Sequence, residues 1–353
     1  MLSSSVRCKT VRKSSGDDTA VRDPFSDCDL NHNTVVASFD MLERKVRRPP
    51  GLHEAFLAAY DRLCLAAASE ECVVAVVAVD HRGKVVAAAG LEDRTALIIG
   101  RHTQCSFRLP APEVSLRHLA AHVCVEGGSA VTRLWDLRSG QHFTTEDGVA
   151  SAAAVAEGPL FVTVNEYALL FVPREALLAA GPGVDAETAW QRLPPREFIE
   201  RRDVKGELED RHLPRERRES SRRRNPGRST ITHMHPPTML GLEPLIGVPW
   251  AEILVSDKNV SQRYEVSVEQ LTRGVLFGRS DRCLVGSEEN MISRVHVLLV
   301  RVGGEVWAID TASTNGTRRA GMDVEAVVLN DHDVLELPGE TVLGFRRLAY
   351  AGA

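Results

Sequence analysis

Three separated blocks of this 353-residue chain occur twice in the same order, so its fold must be one that the chain can build two times over. Gly100-Arg101-His102-Thr103-Gln104-Cys105 lines up with Gly278-Arg279-Ser280-Asp281-Arg282-Cys283, and in both copies fourteen residues separate the Arg from a Ser. Ser115-Leu116-Arg117-His118 then matches Ser293-Arg294-Val295-His296, and Leu134 to Ser139 parallels Ala308 to Ser313. Around these blocks, from about Cys72 to Pro173 and from about Trp250 to Ala351, run short Val/Leu-rich segments separated by Gly, Asp, Asn and Pro. In the second region these are Val275 to Phe277, Val295 to Val302, Val306 to Ile309, Val334 to Leu337 and Val342 to Phe345. That rhythm predicts β-sandwiches. Hydrophobic residues make up 43% of the chain but aromatics only 5%, so aliphatic side chains must supply most of both cores.

The remaining sequence divides around the two copies. Residues 1–50 are rich in Ser, Asp, Arg and Lys, too polar to offset chain entropy by burial, and are expected to be disordered. A helix is predicted from Leu52 to Ala68, where Leu52, Phe56, Leu57, Tyr60, Leu63 and Cys64 recur at helical spacing. It belongs with the first sandwich in a unit spanning 51–175. Residues 176–248 are read as an Arg-rich, largely unpacked linker with a weak helix around Asp185 to Arg192, and 249–353 as the second sandwich. The seven cysteines lack zinc spacing and read as reduced thiols. The N-terminus has no apolar core of a secretory signal, and no run of eighteen apolar residues occurs; a cytoplasmic protein without membrane partners is expected.

In the second copy, Phe277-Gly278-Arg279, Ser293-Arg294-Val295-His296 and Asp310-Thr311-Ala312-Ser313-Thr314-Asn315-Gly316-Thr317 resemble the motifs of the forkhead-associated (FHA) family, over roughly the last hundred residues. The resemblance implies a mainly β fold, two FHA-like β-sandwich domains joined by a charged, largely irregular linker, with loops at one end that bind phosphothreonine peptides. The residue types suit that ligand. A phosphothreonine carries about −1.5 to −2 charges and several acceptor oxygens, so it calls for a fixed cation and converging donors. Arg279 offers a planar fork of N–H groups, Ser293 and Thr314 offer hydroxyls, and Asn315-Gly316 makes the turn that carries Thr314. The resemblance further implies that Arg294 touches phosphate or nearby peptide backbone, that Asn315 holds the ligand's main chain, and that Gly278, His296 and Gly316 are scaffold.

The first copy keeps Arg101, Ser115 and His118 but has Gly140-Gln141-His142-Phe143 where the second has Thr314-Asn315-Gly316-Thr317. A degenerate site with a structural or protein-docking role is expected there. Ser220, Ser229, Thr230 and Thr232 lie beside arginines at spacings that resemble basophilic kinase substrates, which suggests self-association through a phosphorylated linker. The expected partners are phosphothreonine proteins, a Ser/Thr kinase or its substrate among them. Two other readings compete. A nucleic-acid-associated protein would use the seven Arg against two Glu between Arg215 and Arg228, although the net charge of −5 and the lack of interleaved aromatics disfavour it. A hydrolase would use Ser293 with His296, but no orienting acid or oxyanion hole accompanies them. No metal or cofactor fingerprint is present in the sequence, and none is assigned.

Overall fold

The computed structural model describes residues 47–181, 183–203, 247–257 and 261–348. Ser220, Ser229, Thr230, Thr232, the Arg215 to Arg228 cluster and the expected disordered residues up to 46 lie outside them.

Both repeats form β-sandwiches, antiparallel but for one short parallel pair in each, and their strands are ordered alike. In the second, one sheet runs Ser261–Ser267, Pro249–Ser256, Thr341–Arg347, Val334–Leu337, Arg318–Arg319, Met322–Asp323. The facing sheet runs Val285–Gly286, Val275–Gly278, Val297–Val302, Glu305–Asp310, Ala326–Leu329. The first sandwich repeats this sequence of neighbours from Val85–Glu92 to Phe107–Arg108, except that Phe143–Thr145 bridges its two halves into one continuous sheet. The two sandwiches thus share one order of strand neighbours.

The apolar runs are long because several strands are covered on both faces. Cys72–Val79 turns Val74, Val76 and Ala78 into the first sandwich's core. Its Ala75, Val77 and Val79 meet the helix Leu52–Ala66. That helix buries Ala55, Phe56, Ala59, Tyr60 and Leu63, and the two alanines let it lie close to the sheet. Cys64, expected on the apolar stripe, is exposed.

The stretch expected to be linker from 176 behaves differently up to Asp203. Helices Arg174–Ala179 and Ala186–Arg192 pack Leu177, Ala180 and Ala189 against the same layer as the first helix. Strand Glu197–Asp203 pairs antiparallel with Ala150–Glu157. Charge density concealed it: an edge strand needs only one apolar face, and Phe198 supplies that contact, while the half-buried Arg201 pairs with Asp147 and Arg202 reaches the Arg273 carbonyl (3.4 Å).

The two sandwiches also pack on each other. Ile98, Ala120, Cys124, Val131 and Trp135 of the first share one buried cluster with Leu276, Leu298, Val300, Trp307 and Ile309 of the second. The repeat relates many of these positions, so equivalent sheet faces meet. Among the described residues no helix is long and apolar enough to cross a membrane, no group of three or more His, Cys, Asp or Glu is placed to hold a metal, and Cys64, Cys72, Cys105, Cys124 and Cys283 are free thiols.

Candidate functional site

At one tip of the second sandwich, backbone hydrogen bonds lock three loops together. Arg279 N–H donates to the Ser293 carbonyl (3.0 Å) and Ser280 N–H to that of Arg294 (2.9 Å), which fixes the Arg279 loop against the Ser293 loop. The close approach explains Gly278. A Cβ there would lie 2.5 Å from the Arg294 carbonyl oxygen and 2.9 Å from that of Ser293. Because both obstacles are backbone, Gly278→Ala is expected to cost about 1–3 kcal/mol of stability. Gly304→Ala, with nothing within 4 Å of the added atom, should stay within about 0.5 kcal/mol of the parent. Urea unfolding midpoints of the two variants check this.

The third loop is tied in by Ser293 and His296. Thr314 N–H donates to Ser293 Oγ (3.1 Å), and Asn315 Nδ2 donates to the Met291 carbonyl (2.8 Å). His296, fully buried, accepts the Ser293 N–H at Nδ1 (3.0 Å) and reaches the Gly316 carbonyl from Nε2 (3.1 Å). A ring that accepts at Nδ1 carries its proton on Nε2 and braces both loops. His296 is thus turned to the serine's backbone rather than to its hydroxyl, and the nucleophile-with-base arrangement that a hydrolase requires is not made.

Sequence reasoning missed Asp310, which organises the Thr314 loop. Its carboxylate accepts from Ser313 N–H (2.7 Å), Ser313 Oγ (2.7 Å) and Thr317 Oγ1 (2.6 Å). An Asp three residues before a Ser at a strand end is a turn-forming signal that could have found it. Thr311 was missed too, and its hydroxyl donates to the Val295 and His296 carbonyls (2.9 and 3.2 Å).

What remains open at this tip is a set of donors. The Arg279 and Arg294 side chains are exposed. Among the described residues neither has a carboxylate within salt-bridge distance; Arg279 Nε only touches the Ile292 carbonyl at 3.3 Å. Ser293 is nearly buried. Its oxygen accepts from Thr314 N–H, so its own proton stays available to a ligand. Thr314 and Asn315 are exposed on the loop that the Thr314 N–H ties to Ser293 Oγ.

The first sandwich reproduces the frame but not the donors. Arg101 N–H bonds the Ser115 carbonyl (3.0 Å), Arg101 Nε that of Val114 (3.1 Å), and His118 accepts from Ser115 N–H (3.3 Å), each matching a contact in the second. His118 Nε2 meets the Gln141 carbonyl at 2.7 Å, the place Gly316 holds in the second copy, and His142 lies 2.7 Å from Asp136 as Thr317 lies against Asp310. The expected residue-for-residue match of Gly140 to Phe143 with Thr314 to Thr317 therefore needs correction. This loop is one residue shorter, and Gly140 alone stands where Thr314 and Asn315 stand. Asn165, from a neighbouring hairpin, instead donates to the Glu113 carbonyl (3.0 Å), the counterpart of Met291.

Burial lowers the pKa of His118, His296 and His122, the last to about 4, from the ordinary 6.5. Unfolded chains then bind more protons than folded ones at acid pH, so this stability is whole above pH 6.5 and is lost as pH falls below it. Urea midpoints should be level between pH 8 and 7 and decline steadily from about pH 6.5 toward 4.

Residues 275–338 match the model of the FHA domain family, and the second sandwich carries that domain. Similar solved structures include one from an analysis of phosphothreonine-dependent FHA domain interactions (22% identity, covering 29% of this chain and 99% of that one, TM-score 0.26). Others are the Mycobacterium tuberculosis Rv1747 FHA-1 structure (25%, 29% and 100%, 0.24) and the Synechocystis sp. Slr1951 protein (17%, 28% and 99%, 0.26). No curated relative matches the chain.

Proposed function

We propose that this protein is a non-enzymatic adaptor that binds phosphothreonine peptides through the tip of its second sandwich, acting downstream of or together with a Ser/Thr kinase. FHA domains are phosphopeptide-binding modules. The observation that carries the reading here is a pair of exposed arginines, Arg279 and Arg294, without carboxylate partners among the described residues, on loops hydrogen-bonded to each other and, through Ser293 Oγ, to the loop that bears Thr314. Such a site is rich in donors and holds no carboxylate against its arginines among the described residues, which suits a dianion. Arg279 forks onto the phosphate, Ser293 and Thr314 add hydroxyl donors, and Asn315 holds the peptide main chain. Gly278, His296 and Gly316 keep the loops in register.

The first sandwich, with Arg101, Ser115 and His118 but no counterpart to Thr314 and Asn315, serves as a docking partner rather than a second phosphothreonine site. Phosphorylation of Thr230 or Thr232 would give the pocket a ligand within the chain or on a second copy. Fluorescence titration with matched phosphothreonine, phosphoserine and unmodified peptides tests the function. Phosphothreonine should bind ahead of phosphoserine, and the unmodified peptide not at all; equal binding of all three overturns the reading.

A further inference from the structure

One arginine at the second sandwich's pocket comes from the first. Arg117 crosses the contact between the sandwiches and donates from Nε (3.0 Å) and Nη2 (2.6 Å) to the carbonyl of Ala312. The same Nη2 stands 3.5 Å from Ser293 Oγ, the hydroxyl at the centre of the pocket. Ala312 is held at φ 59°, a left-handed conformation that turns its carbonyl out of the strand line to meet this arginine.

Arg117 is largely desolvated, and among the described residues no carboxylate lies within salt-bridge distance of it. Asp310 acts on it only through space, and that carboxylate is already occupied by Ser313 and Thr317. Arg294 stands close enough to repel it, and burial pushes the guanidinium below the ordinary arginine range. A half-buried cation beside a second cation, with the nearest carboxylate, Asp310, acting only from a distance and already hydrogen-bonded elsewhere, gains from a ligand that supplies negative charge. The remaining Nη1 donors have no acceptor among the described residues, and the space beside Ser293 Oγ is where that charge would sit.

We propose that Arg117 is a phosphate-binding residue of the second sandwich's pocket, so that a single phosphothreonine site is built from both sandwiches. This rests on the phosphothreonine reading of that pocket. It also gives the degenerate copy a function. The repeat places Val295 opposite Arg117, so the second sandwich returns no cation from the equivalent position. A different residue, Arg282, reaches back to the Arg138 carbonyl (2.7 Å), the counterpart of Ala312. Arg282 is exposed and its guanidinium makes no bond to a hydroxyl among the described residues, so it is a clamp of the same kind without the pocket.

That difference supplies the control. The full chain is titrated with fluorescent nonapeptides, degenerate except for a fixed central phosphothreonine. Arg117→Ala should lose about ten- to hundredfold in affinity, the range for a charged hydrogen bond. Arg117→Lys should recover part of it, and Arg282→Ala should stay within about twofold of the parent. Phosphorus NMR of the bound peptide gives a readout that a purely structural role would not move. The second phosphate ionisation, about 6 when free, should lie lower in the parent than in Arg117→Ala. The proposal is overturned if the parent binds while Arg117→Ala does so equally well, if Arg282→Ala loses as much, or if the bound phosphate titrates alike with and without Arg117. A parent that holds none of the peptides overturns the phosphothreonine reading itself, and this inference with it.

Discussion

Replacing Arg279 by alanine is expected to weaken phosphothreonine-peptide binding by about 2–5 kcal/mol, the usual loss when one partner of a desolvated charge pair is deleted. The loss should be almost entirely in affinity. Arg279 is exposed, its single side-chain bond is a 3.3 Å contact to the Ile292 carbonyl, and the bonds that fix its loop run through its backbone N–H. Thermal and urea unfolding of Arg279→Ala should therefore match the parent to within about 0.5 kcal/mol. Arg279→Lys should recover little, because an ammonium cannot present two parallel donors to two phosphate oxygens. Isothermal titration of the three proteins with one phosphothreonine peptide decides it, and an alanine variant that binds like the parent removes Arg279 from the site.

The second large effect is expected far from the pocket. Trp307 is nearly buried in the cluster between the sandwiches, with the His122 ring 4.7 Å away edge-on and the Arg94 guanidinium 4.8 Å over its face. Arg94 is in turn paired with Glu305 at 2.8 Å. Trp307→Ala deletes one of the two tryptophans in that cluster and should cost about 3–5 kcal/mol. Since the lost contacts join the two sandwiches, each core keeps its own packing and the coupling between them suffers most. Calorimetry should show the sandwiches melting together in the parent and in separate steps in the variant. A variant that still melts in one step, at the parent's temperature, would mean that this face contributes little to docking.

The motifs were legible in the sequence for a physical reason. The spacing from Arg to Ser is the same in both copies because each pair is joined by a backbone hydrogen bond, Arg101 to Ser115 and Arg279 to Ser293, and a changed spacing would break it. The glycine before each arginine is legible likewise, since a Cβ on Gly100 would meet the Leu116 carbonyl oxygen at 2.4 Å just as one on Gly278 meets that of Arg294.

Other features left weaker traces. Val297–Val302 is apolar on successive residues, which signals that both faces are covered but not by what. The cover is the other sandwich, and pairing between repeats leaves no local pattern. The shortened loop at Gly140 was hidden because a one-residue deletion does not disturb the Asp and Ser before it; only the position of the Gln141 carbonyl against His118 exposes it. Arg117 sits inside a recognised block, yet its side chain leaves its own copy, and no spacing rule within one copy could point to Ser293.

The most direct measurement is the backbone amide spectrum of the labelled protein during addition of a phosphothreonine peptide. The amides of Arg279, Ser293, Thr314 and Asn315 should shift strongly, while those of Arg101 and Ser115 stay in place and the unphosphorylated peptide leaves all six unchanged. Shifts centred on Arg101 and Ser115, or shifts of the same size with the unphosphorylated peptide, would contradict the phosphothreonine reading.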